Sequence, residues 1–107
     1  MTLPGLKEVS IACVNNDLGL LRQHLTEANM NTPSGSLDHT PLHTAAINCS
    51  RDALLYLVMK GADLTARMPG YGTPLEFVKR VANTDLPEIK EIISILEAHS
   101  SSHAKKD

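Results

Sequence analysis

Apolar residues recur along this chain at the spacing of amphipathic helices. Ile89, Ile92, Ile93 and Leu96 fall at positions i, i+3, i+4 and i+7, which places them on one face of a helix. The segment 54–59 is different, because every one of its residues is apolar or aromatic. A helix that is apolar all round is typical of a position covered on more than one side. The pattern predicts an all-α protein with its middle helix buried between neighbours.

A repeated tripeptide divides the chain into units. Thr-Pro-Leu occurs at positions 40–42 and again at 73–75, and we call the offset between the two copies the repeat period. A fixed period of about 20 to 50 residues is the signature of a stacked repeat protein. Each Thr is suited to cap a helix that starts at the following Pro, and Glu76 can complete a capping box with Thr73. Gly61 is expected to end the second helix of the middle unit. Each unit is therefore predicted to contain a helix, a tight turn, a second helix and a long loop.

A degenerate unit is predicted before the first tripeptide. No Thr-Pro-Leu lies one repeat period upstream of it, but Ala12-Cys13 falls where Ala45-Ala46 does. Terminal repeats are expected to be atypical, because one of their faces meets water. The repeat domain is predicted over residues 1–99 and a polar, disordered tail over 100–107. The three units cover approximately residues 5–36, 37–69 and 70–99.

Composition and charge exclude several classes of partner. Ten Lys and Arg residues against 12 Asp and Glu give a formal net charge of −2, and only 3% of residues are aromatic. A nucleic-acid binder would need a basic surface or a set of stacking aromatic rings. The longest apolar run, 53–59, is too short to cross a bilayer, and the first residues do not resemble a signal peptide. We expect an intracellular protein, cytoplasmic with the nucleus left open, that binds neither nucleic acid nor membrane.

Two cysteines are the only candidates for reactive chemistry. Cys13 and Cys49 are too few for a disulfide framework. Either thiol could work with His43 in a small cysteine-dependent enzyme or redox protein, and this alternative stays open. Neither has a second ligand at the short spacing of a zinc site, and buried free cysteines usually act as small apolar groups. We therefore predict no metal, no cofactor and no catalytic residue.

The residues around the tripeptides resemble the ankyrin repeat. The segment 38–46, Asp-His-Thr-Pro-Leu-His-Thr-Ala-Ala, is similar to the family's Thr-Pro-Leu-His-x-Ala-Ala signature, and 61–66 is similar to its Gly-Ala-Asp-Val-Asn-Ala ending. The third unit departs from the pattern at Glu76, Val78 and Lys79, where the family prefers His, Ala and Ala. The positions that carry the structural motif are Thr40, Pro41, Leu42, His43, Gly61, Thr73, Pro74, Leu75 and Glu76.

The resemblance implies both an architecture and a role. The architecture is an α-solenoid of three stacked helix-turn-helix units with projecting β-hairpin-like loops. The role is to bind another protein without catalysis, through the loop tips and the exposed side of the first helix of each unit. His43 is implied to have a structural role, tied by hydrogen bonds to the Thr of its own signature. Carried onto this chain, the implied contact residues are Ser36, Leu37, His39, Ile47, Asn48, Pro69, Gly70, Tyr71, Gly72 and Arg80.

Some of these residues have a second interpretation. Leu37, Ile47 and Tyr71 are the strongest contact predictions, since exposed apolar groups anchor interfaces, but each could pack on a neighbouring loop instead. His39 could make binding pH-sensitive or could simply be solvated. The leading hypothesis is an adaptor, an inhibitor or a small subunit of a complex, and a purely structural role is a further possibility. We expect a monomer, with weak homodimerisation through Ile95 as a variant.

Overall fold

A computed structural model describes residues 4–35 and 38–104, with side chains described as far as His99. This part of the chain is helical, as predicted, and contains no β-strand. Its helices are α1 (Leu6–Asn15), α2 (Leu18–His24), α3 (Glu27–Met30), α4 (Pro41–Ile47), α5 (Arg51–Met59), α6 (Pro74–Val81) and α7 (Pro87–Ala104).

The helices form two layers. Three pairs of helices pack together across a tight turn: α1 against α2, α4 against α5, and α6 against α7. Within one layer α4 lies between α1 and α6, and within the other α5 lies between α2 and α7. We call α1, α4 and α6 the inner helices and α2, α5 and α7 the outer helices. The middle pair, α4 and α5, therefore has neighbours on both sides.

Small side chains let the inner helices approach one another closely. Ala12, Ala45 and Ala46 are fully buried between them. The outer helices contribute larger residues to the same core, and burying each large aliphatic side chain stabilises the fold by about 1.5–3 kcal/mol. The fully buried members from the outer helices are Leu21, Ala53, Leu54, Leu57, Ile92 and Leu96.

The prediction that the middle outer helix is covered on more than one side agrees with the structure, although one side of α5 remains open. Leu54 and Leu57 are completely buried, whereas Met59 is 80% exposed. Asp52, seven residues before Met59 and so on the same face of the helix, is exposed as well. The three neighbours α2, α4 and α7 cover three sides of α5, and the fourth side faces solvent.

Local signals set the helix ends where the sequence predicts them. The backbone N–H of Thr73 donates to Glu76 Oε1 over 3.0 Å, and the N–H of Glu76 donates to Thr73 Oγ1 over 3.2 Å, which completes the capping box. After α5, Gly61 takes a left-handed conformation with φ of 95°. The N–H groups of Gly61 and Ala62 donate to the carbonyls of Val58 and Leu57, which is the Schellman pattern.

The repeat period extends to the backbone of the tight turns. Asn16 and Cys49, which occupy equivalent positions in the first two units, both adopt left-handed conformations, with φ of 55° and 57°. The corresponding Ala82 does not (φ −88°), because the turn between α6 and α7 spans residues 82–86 instead of 48–50. Helix α7 continues to Ala104, although the sequence predicts a disordered tail from residue 100, and residues 105–107 lie outside the described residues.

Candidate partner-binding surface

Two loops between the helical pairs turn back on themselves. In the first, Ser34 and His39 exchange backbone hydrogen bonds of 2.9 and 3.1 Å in an isolated antiparallel bridge. The predicted contact residues Ser36 and Leu37 sit between them and lie outside the described residues. In the second loop, Met68 and Gly72 form the same kind of bridge. These are hairpin-like turns with one bridge each rather than strands.

The second loop is fixed to the inner helices by aromatic packing. The ring of Tyr71 meets the ring of Phe77 edge-on, with 5.2 Å between centroids and 67° between planes. Edge-to-face pairs of this kind stabilise by about 0.5–1.5 kcal/mol beyond the area they bury. Tyr71 is still 36% exposed, so it packs on its neighbour and also keeps a free surface.

His43 also fixes the second loop, through a hydrogen bond to Gly72. Its Nε2 lies 2.8 Å from the carbonyl oxygen of Gly72, and its Nδ1 lies 2.7 Å from Thr40 Oγ1 and 3.3 Å from the Thr40 backbone nitrogen. A carbonyl only accepts and a backbone N–H only donates, so Nε2 carries the proton and Nδ1 accepts. The side chain is fully buried, and this burial lowers the pKa of His43. The structural role that the ankyrin resemblance implies for His43 fits these contacts.

An apolar cleft opens on the side of the inner helices that faces the loops. It encloses about 220 Å³. Val14, Ile47 and Phe77 give it apolar walls contributed by α1, α4 and α6, and Val14 is 49% exposed. The complete lining of this apolar cleft is Val14, His39, Thr44, Ile47, Asn48, Met68 and Phe77.

The cleft brings together three of the predicted contact residues, His39, Ile47 and Asn48. Sequence reasoning missed Val14 and Phe77. The repeat period could have found Val14, which lies one period before the predicted Ile47, but not Phe77, which lies one period after Thr44, a residue that was not predicted. Met68 carried no comparable signal, because it reaches the cleft through the fold of the second loop.

A second cavity lies between the second loop and α6. It has a volume of about 780 Å³. The predicted residues Pro69, Gly70, Tyr71, Gly72 and Arg80 all line it. We call it the basic pocket, and its complete lining is Arg67, Met68, Pro69, Gly70, Tyr71, Gly72, Glu76, Lys79 and Arg80.

Each charged side chain of the basic pocket contacts another group of the protein. Arg67 Nη1 lies 3.4 Å from Glu76 Oε1, and the Thr73 N–H donates to the same oxygen. That backbone hydrogen bond lowers the pKa of Glu76, and the charges of Arg67 and Arg80 act in the same direction. Lys79 pairs with Glu97 on α7 over 3.0 Å. Arg80 Nη1 donates to the carbonyl of Gly70 over 3.1 Å, which ties the loop to α6.

The two thiols lack the features of a nucleophile. Burial raises the pKa of Cys13 to about 12, and burial together with the charge of Glu88 raises the pKa of Cys49. A reactive cysteine needs the opposite shift. Both ring nitrogens of His43 already have partners. Within residues 4–35 and 38–104, no three His, Cys, Asp or Glu side chains converge on a possible metal site, and no described helix could span a membrane.

Comparison with known protein families finds a match for the middle helical pair, α4 and α5. Residues 37–66, which include α4 and α5, match the family model described as Ankyrin repeat. This chain contains an ankyrin repeat. No curated protein matches the chain. Ankyrin repeats generally bind other proteins and are typically not enzymes. The ankyrin repeat contributes His39, Ile47 and Asn48 to the apolar cleft, and the flanking helices α1 and α6 contribute Val14 and Phe77.

Proposed function

We propose that this protein is a non-catalytic protein-binding module whose docking surface is the apolar cleft and the two loops beside it. In this proposal the helical pairs before and after the ankyrin repeat are further units of the same kind, over approximately 5–36 and 70–99. The module acts as an adaptor, an inhibitor or a subunit of a complex, as a monomer. Its two cysteines are free, which fits a reducing compartment inside the cell.

One observation supports this proposal above the others. Val14, Ile47 and Phe77 come from three different inner helices and still line one cleft. Val14 is 49% exposed and Ile47 is partly exposed beside the buried ring of Phe77, and accessible apolar side chains of this kind are typical of an interaction site. The second loop beside the cleft is held by the His43 and Arg80 hydrogen bonds, so little ordering entropy is spent in that loop when a partner binds.

Affinity capture with paired variants tests the proposal. Val14→Asp and Ile47→Asp place a carboxylate in the cleft, and a buried unpaired charge opposes any apolar contact. Met59→Asp makes the same chemical change on the solvent side of α5, where the side chain is 80% exposed. We expect specific proteins to be retained by the wild type and by Met59→Asp and lost from the two cleft variants. Circular dichroism must show that all three variants are folded.

The opposite outcome is equally clear. A set of captured proteins that is unchanged in Val14→Asp and Ile47→Asp would mean that the cleft is not the docking surface. Capture of no protein under any condition would remove the binding function itself.

A further inference from the structure

The apolar cleft and the basic pocket share a wall. Met68 lines both cavities, and α6 contributes Phe77 to the first and Lys79 and Arg80 to the second. A ligand that crosses Met68 therefore passes from an apolar lining to a charged one. A partner that fills both cavities must therefore carry an apolar group next to a charged one, which is a narrower requirement than the apolar cleft sets alone.

The lining of the basic pocket has an excess of positive charge. Arg67, Lys79 and Arg80 are cationic, and Glu76 is the single acidic residue in the lining. Glu76 is already occupied by the Thr73 N–H and by Arg67. Among the described residues Arg80 makes no ion pair with a carboxylate, and it is exposed. A guanidinium offers five N–H donors, and the contact with Gly70 uses one of them.

The two existing ion pairs do not prevent the pocket from taking an anion. The side chains of Arg67, Glu76, Lys79 and Glu97 are all about half exposed or more, and exposed pairs contribute about 0–1 kcal/mol. A carboxylate that arrives between them can therefore recruit Lys79 or Arg67 at little cost. Arg80 can hold the same carboxylate with two parallel hydrogen bonds, which is the geometry that guanidinium favours.

Resting on the proposed function, we infer that the partner presents an acidic segment carrying a large aliphatic side chain. The aliphatic side chain enters the apolar cleft beside Ile47 and Phe77. The neighbouring Asp or Glu carboxylates enter the basic pocket beside Arg80. A nucleic acid would satisfy the cations but leave the cleft empty, and a basic peptide would be repelled from the pocket.

Binding of three short synthetic peptides to the full-length protein tests the inference. The first has Glu residues on both sides of a Leu pair, the second has Lys residues around the same Leu pair, and the third has Glu residues around a Ser pair. Nitrogen-15 NMR titration measures weak binding and locates it through the backbone amides. We expect the Glu–Leu peptide to bind about tenfold or more tightly than the other two, with shifts concentrated at Ile47, Gly70 and Gly72. Added salt should weaken it.

A variant with reversed charge in the basic pocket is the second part of the test. Arg80→Glu should weaken the Glu–Leu peptide by about tenfold and improve the Lys–Leu peptide, because rim charges decide which partner is steered in. Arg22→Glu, the same change at an exposed position on α2, should leave both affinities unchanged. A short single-stranded oligonucleotide is titrated alongside the peptides.

Several outcomes would overturn the inference. These are equal affinity for the Glu–Leu and Lys–Leu peptides, an Arg80→Glu variant that binds like the wild type, and an oligonucleotide that binds more tightly than the Glu–Leu peptide. The proposed function fails on a different result, the capture experiment with Val14→Asp and Ile47→Asp. Captured proteins that depend on the cleft, together with peptides that show no preference, would leave the function standing and remove only the acidic partner.

Discussion

At the scale of single residues, His43 joins two parts of the structure that lie far apart in the sequence. Its two nitrogens join the start of α4 to the bridge of the second loop, and its ring lies 5.9 Å from that of Phe77. The hydrogen bond from the Thr40 N–H to Nδ1 requires a neutral ring with the proton on Nε2, whereas the bond from Nε2 to Gly72 forms in either charge state. A proton added to Nδ1 would point at the Thr40 N–H and break that contact.

The stability of the protein should therefore depend on pH through His43. Burial lowers its pKa in the fold, and the nearby His39 charge acts in the same direction, against the Gly72 hydrogen bond, which raises it. The unfolded chain then binds more protons than the fold once the pH drops below about 6.5, so stability falls with pH from there. Urea denaturation between about pH 7.5 and pH 5 should show this loss, with a slope below the limit of about 1.4 kcal/mol per pH unit that one proton sets.

Two variants distinguish the contribution of His43 to this pH dependence from that of other titrating groups. His43→Gln should be less stable at neutral pH and should show a flatter profile. His99→Gln, at an exposed position near the end of α7, should keep the wild-type slope. Glu76 does not interfere, because its lowered pKa costs stability only as the pH falls below its ordinary value of 4.5. Parallel profiles for the wild type and His43→Gln would show that another group is responsible.

The raised pKa values of the two thiols give another prediction at this scale. At pH 8 only a small fraction of Cys49 and almost none of Cys13 should be thiolate, the form that reacts. Iodoacetamide should label Cys49 slowly and Cys13 hardly at all in the folded protein, and both should speed up in urea. Cys13→Ser and Cys49→Ser assign the two rates. Labelling of folded Cys49 faster than in urea would revive the cysteine-enzyme alternative.

At the scale of elements, the middle outer helix receives its cap from the unit before it. Ser50, the residue before α5, makes no capping bond, and its hydroxyl donates to the Cys13 carbonyl instead. The side-chain Oδ1 of Asn16 accepts the N–H of Ala53, the third residue of α5, over 3.0 Å. Asn16 also holds a left-handed backbone, which Asn tolerates better than most residues.

Substitutions at Asn16 should separate the cap from the turn. Asn16→Gly keeps the left-handed turn but loses the cap, so we expect a loss of about 0.5–2 kcal/mol. Asn16→Ala loses the cap and adds strain of about 1–2 kcal/mol, so it should be clearly less stable than Asn16→Gly. Asn15→Ala, an exposed position at the end of α1, should be neutral or slightly stabilising. Thermal unfolding measures all three, and equal losses for Gly and Ala would contradict the strain argument.

The elements show which features the sequence can predict. The Thr73–Glu76 box and the Gly61 stop depend on residues a few positions apart, and the local pattern predicts both. The Asn16–Ala53 bond joins residues 37 positions apart, and no local sequence pattern predicts it.

The residues of the candidate binding surface also fall into a predictable and an unpredictable group. Ile47 and Arg80 follow from the ankyrin resemblance, whereas Met68 enters both cavities only because the second loop folds back.

At the scale of the whole molecule, α4 and α5 are the two helices that contact both flanking pairs, and α5 does so in the outer layer. It packs against α4 within its own pair and against α2 and α7 on its two sides. A repeat protein has no contacts between distant units, so its stability comes from each unit and the interfaces between neighbours. Loss of α5 would remove both interfaces of the outer layer together.

Leu57→Ala should therefore lower the stability of the whole domain and not only that of α5. Leu57 is completely buried, and such truncations cost about 2–5 kcal/mol, out of a total of about 5–15 kcal/mol for a domain of this length. Met59→Ala, two residues along the same helix, should change stability by no more than about 0.5 kcal/mol. Urea denaturation followed by circular dichroism compares the two.

Hydrogen exchange then tests whether the units are coupled. Because α5 contacts both α2 and α7, Leu57→Ala should speed exchange of the amides in α2 and α7 by a similar factor, as one cooperative unit. Met59→Ala should leave their protection as in the wild type. If α7 stayed protected in Leu57→Ala while α5 exchanged freely, the last helical pair would hold its structure without the ankyrin repeat. The stack would then be two independent bodies rather than one.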